Sequence, residues 1–148
     1  MSTDEATTKD LIQTLEDGKE GFAKGAEKLE KTDSPELAAT FRRLSTQREG
    51  FARELQDLAH TYGDDAPERG SVAGTVHRGW LTLKDALSGS DPDGVLDAAE
   101  QGEDHAVKEF DKALEADISP GLRAVVERQA TQVKAAHDEV RTLRNGHK

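Results

Sequence analysis

A chain of 148 residues has room for one domain with a substantial core and too little for two. Hydrophobic and charged residues each make up 34%, a balance that suits a slender bundle whose helices turn one apolar stripe inward. A net charge of −10 repels phosphate backbones and anionic lipid, and the absence of cysteine removes disulfides, thiol nucleophiles and thiolate metal sites. No run approaches the roughly 18–20 apolar residues of a membrane span, so neither nucleic acid nor membrane is an expected partner. The opening Met1-Ser2-Thr3-Asp4-Glu5 carries neither the basic nor the apolar region of a secretory signal, which predicts a cytoplasmic protein.

The first helix is predicted over about 8–31, with Leu11/Ile12, Leu15, Lys19, Phe22, Ala26 and Leu29 on its inward stripe. The second, over about 35–62, begins at Ser34-Pro35, where serine can cap and proline lacks only an N–H that the first turn leaves unused. Its stripe is Leu37, Phe41, Leu44, Arg48, Phe51, Leu55 and Leu58. The turn between the two is short enough to make them antiparallel neighbours. A polar loop containing Pro67 and Gly70 follows, then a shorter helix over about 71–88 bearing Val72, Val76, Trp80, Leu83 and Leu87.

The third long helix (about 92–117) presents Leu96, Ala99, Glu103, Ala106, Phe110 and Ala113. The fourth (about 120–144) presents Leu122, Val126, Gln129, Val133, Ala136, Val140 and Leu143. Each slot of the fourth helix lies 85 residues after a slot of the second (119 − 34 = 85), and each slot of the third lies 84 after one of the first. The chain is therefore a helical hairpin written twice, within a single domain over 1–148 whose ends, 1–7 and 145–148, are expected to fray. A connection of roughly 28 residues with its own helix matches the long crossover of ferritin-like bundles. The predicted fold is thus all-α, a four-helix bundle of ferritin-like connectivity.

Several strings point the same way: Asp17-Gly18-Lys19-Glu20-Gly21-Phe22, Gly70-Ser71-Val72-Ala73-Gly74, His77-Arg78-Gly79-Trp80, Gly102-Glu103-Asp104 and Ala135-Ala136-His137-Asp138. In that order they resemble an uncharacterised bacterial family of four-helix-bundle proteins in the ferritin-like superfamily, defined as a domain of unknown function. The resemblance runs from Thr8 to Arg144. It implies the fold and no established activity.

Ferritin-like di-iron proteins bring Glu and Glu-x-x-His from facing helices to mid-bundle, because residues i and i+3 share a helix face. This chain has no Glu-x-x-His; its closest spacings are Asp57-x-x-His60, Lys134-x-x-His137 and Glu100-x-x-Glu103. Counting outward from the two turns places Lys19, Arg48, Glu103 and Val133 in one layer, flanked by Gln129 and His137. Two of those slots are cations, and a fixed cation opposes a divalent ion nearby. The sequence accordingly predicts a structural charged layer of Lys19, Arg48, Glu103 and Gln129 that sets helix register, with no catalytic and no cofactor-binding residue.

The leading expectation is a non-enzymatic, soluble bundle serving stress tolerance or acting as an interaction module. The alternative is a ferritin-like protein of iron oxidation, storage or detoxification, holding iron or another divalent metal at Glu100, Glu103 and His137. His77 and Trp80, three residues apart on the crossover helix, are expected to pack on the bundle. Exposed apolar residues there, such as Leu81, would support a weak homodimer. The mid-helix glycines Gly18, Gly21, Gly25, Gly50, Gly74, Gly79 and Gly102 are expected at close helix approaches.

Overall fold

The computed structural model describes residues 3–32, 34–61 and 92–147. They form four helices, α1 (Thr3–Lys31), α2 (Pro35–Thr61), α3 (Pro92–Glu115) and α4 (Pro120–His147), with no strand among the described residues. The crossover helix expected over 71–88, with His77, Trp80 and Leu81, lies outside them. No helix of the described residues is long and apolar enough to cross a membrane.

Both tight turns use the same device. The Ser34 carbonyl accepts the Ala38 amide at 3.0 Å, and the Ser119 carbonyl accepts the Arg123 amide at 2.9 Å. Each opens a helix whose first residue is proline. On the other side of the first turn, Thr32 and Ser34 donate to the free Leu29 carbonyl at 3.3 and 2.9 Å. At the second, the Arg123 guanidinium caps the carbonyls of Leu114 (2.8 Å) and Ala116 (3.0 Å). Satisfying those carbonyls closes α3 at Glu115, two residues before the predicted end.

Helix direction follows from which residues meet. The start of α1 packs on the end of α3, where Thr7, Leu11, Ala113 and Ala116 line a shallow hollow. Gly25, late in α1, lies against Val95 at the start of α3. The two helices are thus antiparallel. α2 and α4 are antiparallel as well, since Arg43 pairs with Glu139 and Glu54 with Arg128. Consequently α2 and α3 run the same way, and α2 ends at the end of the bundle opposite to that at which α3 begins. α1 packs on α2 and α3, and α4 packs on α3 and more lightly on α2.

The core is in two parts. One holds Leu11, Leu15, Leu55, Phe110, Leu122 and Val126 near the α3–α4 turn. The other holds Phe22, Leu29, Phe41, Leu44, Leu96 and Val140 near the α1–α2 turn. The predicted stripes of α1 and α3 are buried throughout. In α2 the predicted slots Phe41, Leu44, Arg48 and Leu55 are buried, while Leu37, Phe51 and Leu58 are half-buried at the edges of the core and the neighbouring Ala38, Ala52 and Ala59 take the buried places beside them.

Two ends differ from expectation. α1 starts at Thr3 rather than near Thr8: Asp4 and Glu5 favour its first turn electrostatically, and Asp4 Oδ1 accepts the Ser119 amide at 2.9 Å. α4 continues to His147, with Arg144 near its end held by Asp97 and Glu100.

Candidate functional site

Between the two halves of the core lies a polar waist. Arg48 of α2 and Glu103 of α3 are 1% and 0% exposed, and their side chains meet fork to fork: Nη1 to Oε1 at 2.5 Å and Nη2 to Oε2 at 2.7 Å. The remaining guanidinium donor, Nε, reaches Gln47 Oε1 at 3.2 Å. Both carboxylate oxygens are therefore occupied by a permanent cation, and the planar fork matches the carboxylate in a way a lysine could not.

The surrounding chain makes space for this pair. A Cβ at Gly18 of α1 would stand 3.4 Å from Arg48 Nη1 and 3.6 Å from its Cγ, so the bare backbone there forms the wall along which the arginine lies. The Phe22 ring sits under the guanidinium, 5.4 Å from Cζ to ring centroid, and is itself held edge-on by Phe41 with centroids 5.2 Å apart. The contact between cation and ring face adds electrostatic attraction where water is excluded.

The other residues of the predicted layer go elsewhere. Lys19 is buried, but its ammonium pairs with Glu16 one turn back at 3.1 Å rather than with Glu103. Gln129, fully buried, donates to the Phe51 carbonyl at 3.2 Å and to Glu54 Oε1 at 2.8 Å. Its own oxygen has no partner among the described residues. That amide ties α4 to α2 one turn away from the Arg48–Glu103 pair.

Glu100, Glu103 and His137 do not converge. Glu100 binds Arg144 at 3.1 Å, Glu103 binds Arg48, and His137 places Nε2 on Asp104 Oδ1 and Nδ1 3.5 Å from Asp138 Oδ1. Among the described residues no group of three or more His, Asp or Glu could hold a metal ion. Asp57 is exposed on α2.

Residues 5–116 match the model of a family described as "Domain of unknown function (DUF2383)". The chain belongs to that family. The matched stretch contains all of α2 and α3 and nearly all of α1, and so both members of the Arg48–Glu103 pair; the whole of α4, with His137, lies beyond it. No curated protein matches the chain. The DUF2383 description names a domain without an activity, which leaves the waist to be read from its own chemistry.

Sequence reasoning missed three of these contacts: Arg48 over Phe22, Gln129 with Glu54, and His137 with Asp104. The stripes that identify core slots carry no information on where long polar side chains bend. One signal was present, though. Applying the 85-residue offset to exposed positions would have matched Arg43 with Arg128 and Glu54 with Glu139, the residues of two ion pairs between α2 and α4.

Proposed function

We propose that this chain is a non-catalytic bundle of the ferritin-like kind, in which a buried ion pair stands at the level where that superfamily carries its metals. The observation that carries the reading is the bidentate Arg48–Glu103 contact. A guanidinium does not deprotonate at any accessible pH, so it cannot yield its place to a cation as a histidine or a carboxylic acid would. A divalent ion at Glu103 would have to displace Arg48 and leave that charge buried without a partner.

On this reading the protein acts by presenting a rigid helical surface to another macromolecule in a bacterial cytoplasm, and turns over no substrate. A stress-related role suits the acidic charge and the mean hydropathy of −0.77. The test is elemental analysis of protein purified without chelators, followed by ferrous-iron oxidation in air. The expected result is well under one equivalent of metal per chain and no oxidation above the protein-free rate. About two equivalents of iron, the loading of a di-iron centre, lost on Glu103→Ala or His137→Ala, would overturn the reading.

A further inference from the structure

Charge is unevenly shared between the two sides of the bundle. α1 and α3, packed side by side, carry sixteen acidic residues and seven lysines, a net −9. α2 and α4, on the opposite side, carry seven acidic residues and nine arginines or lysines, a net +2. A second copy of a chain of net charge −10 is therefore repelled by the first side and admitted by the second. That second side is open. Gly50 and its counterpart Ala135, 85 residues later, are exposed there, and a Cβ at Gly50 would meet no atom within 4 Å.

Four exposed charges mark the corners of this face. Arg43 of α2 meets Glu139 of α4 at one end, through Nη2 at 2.7 and 2.6 Å. Glu54 of α2 meets Arg128 of α4 at the other, eleven residues or about 16 Å along the helices. Arg128 is the counterpart of Arg43, and Glu139 of Glu54 (128 − 43 = 85; 139 − 54 = 85), so like charges stand on the diagonals. Turned over about either of its midlines, such a rectangle lays Arg on Glu at all four corners. Those midlines are the axes available to a twofold dimer, whose two copies use the same patch. Each arginine gives its own glutamate one Nη2 and keeps more than half of its side chain exposed, 57% and 54%, with donors to spare for a second carboxylate. Gly50 and Ala135 lie between the corners, so no long side chain at those positions holds the copies apart.

We infer that the outer face of α2 and α4 is a docking surface for a second copy of this chain, in which Arg43 and Arg128 each sit between two glutamates, one from each copy. Its size is adequate. Helices of 27 and 28 residues, about 40 Å long and lying roughly 8–10 Å apart, present about 800 Å², the share of one partner in a standard interface. Exposed ion pairs hold such a dimer weakly and are screened by salt. The surface is a different one from the crossover helix with Leu81. The dimer needs nothing of the Arg48–Glu103 waist, so mass and metal content are separate measurements.

The full-length chain is followed by sedimentation velocity from about 1 μM to about 1 mM. The wild type is expected to pass from monomer to dimer over that range in low salt, and to return to monomer in about 1 M salt. Arg43→Glu with Arg128→Glu makes all four corners acidic; Glu54→Arg with Glu139→Arg makes them all basic. Alone, each variant is expected to dimerise at least about tenfold more weakly than wild type. Mixed in equal amounts, the two are expected to associate with each other at least as tightly as wild type does with itself. Ala135→Arg removes no ion pair and places a long cation in the middle of the face; it is expected to keep the wild-type thermal stability and lose the dimer. A wild type that stays monomeric at about 1 mM overturns the inference. So does a pair of folded charge variants that fail to associate when mixed, or an Ala135→Arg chain that dimerises as wild type does.

Discussion

Arg48 is tolerated in the core because three neighbours accommodate it: a glycine leaves its path clear, a phenylalanine ring faces its charge, and a glutamate takes its donors. The glycines of the bundle are otherwise unlike one another. A Cβ at Gly25 would stand 2.8 Å from two carbons of the Phe41 ring and 3.3 Å from Val95 Cγ1. Phe41 is fully buried and wedged by Phe22, so it has nowhere to retreat. Gly25→Ala should therefore destabilise, the overpacking of about 1–3 kcal/mol outweighing the roughly 1 kcal/mol gained in helix propensity. Gly50 is exposed with nothing within 4 Å of a Cβ, contrary to the close approach expected there. Gly50→Ala should stabilise by up to about 1 kcal/mol. Urea titration of the two variants, read as opposite shifts of the midpoint, checks both signs.

The helices themselves were legible because stripe spacing, Ser-Pro starts and short turns are local signals. Their ends were less so. The first turn of α1 is held by Asp4 on the Ser119 amide, a contact between residues far apart in sequence that no local pattern announces. Asp4→Ala should remove that cap at a cost of about 1 kcal/mol, measured by chemical denaturation, with helical content lost at the N-terminus. α1 and α2 are also joined near their turn by an exposed fork, Arg42 to Glu30 at 2.6 and 3.2 Å. The hydrogen bond from Arg42, reinforced by its charge, holds the Glu30 carboxyl below its ordinary range. A depressed carboxylate contributes stability above the unfolded-state pKa and loses it as pH falls through the folded value. The small advantage of the wild type over Arg42→Ala should accordingly be present at neutral pH, fade in acid, and shrink with added salt. A difference that persisted at low pH would mean that Arg42 acts through packing instead.

At the scale of the whole molecule, two apolar halves meet at the buried Arg48–Glu103 pair, which also joins the two hairpins, since Arg48 belongs to the first and Glu103 to the second. Slot counting from the turns indicated which positions share that level. It did not indicate that Lys19 would turn to Glu16, Glu100 to Arg144 and His137 to Asp104, because long side chains choose partners in three dimensions. What the waist does energetically is a matter of coupling. Removing either partner strands a buried charge at a cost of about 3–5 kcal/mol, whereas replacing both by apolar residues of similar size is close to neutral. A denaturant double-mutant cycle of Arg48→Met, Glu103→Leu and the two combined is therefore the most direct test. Each single substitution should be severely destabilising, and their combination should recover most of the loss. Costs that simply add, leaving the double variant worse than either single one, would show that Arg48 and Glu103 serve separate partners and that the ion-pair waist is wrong.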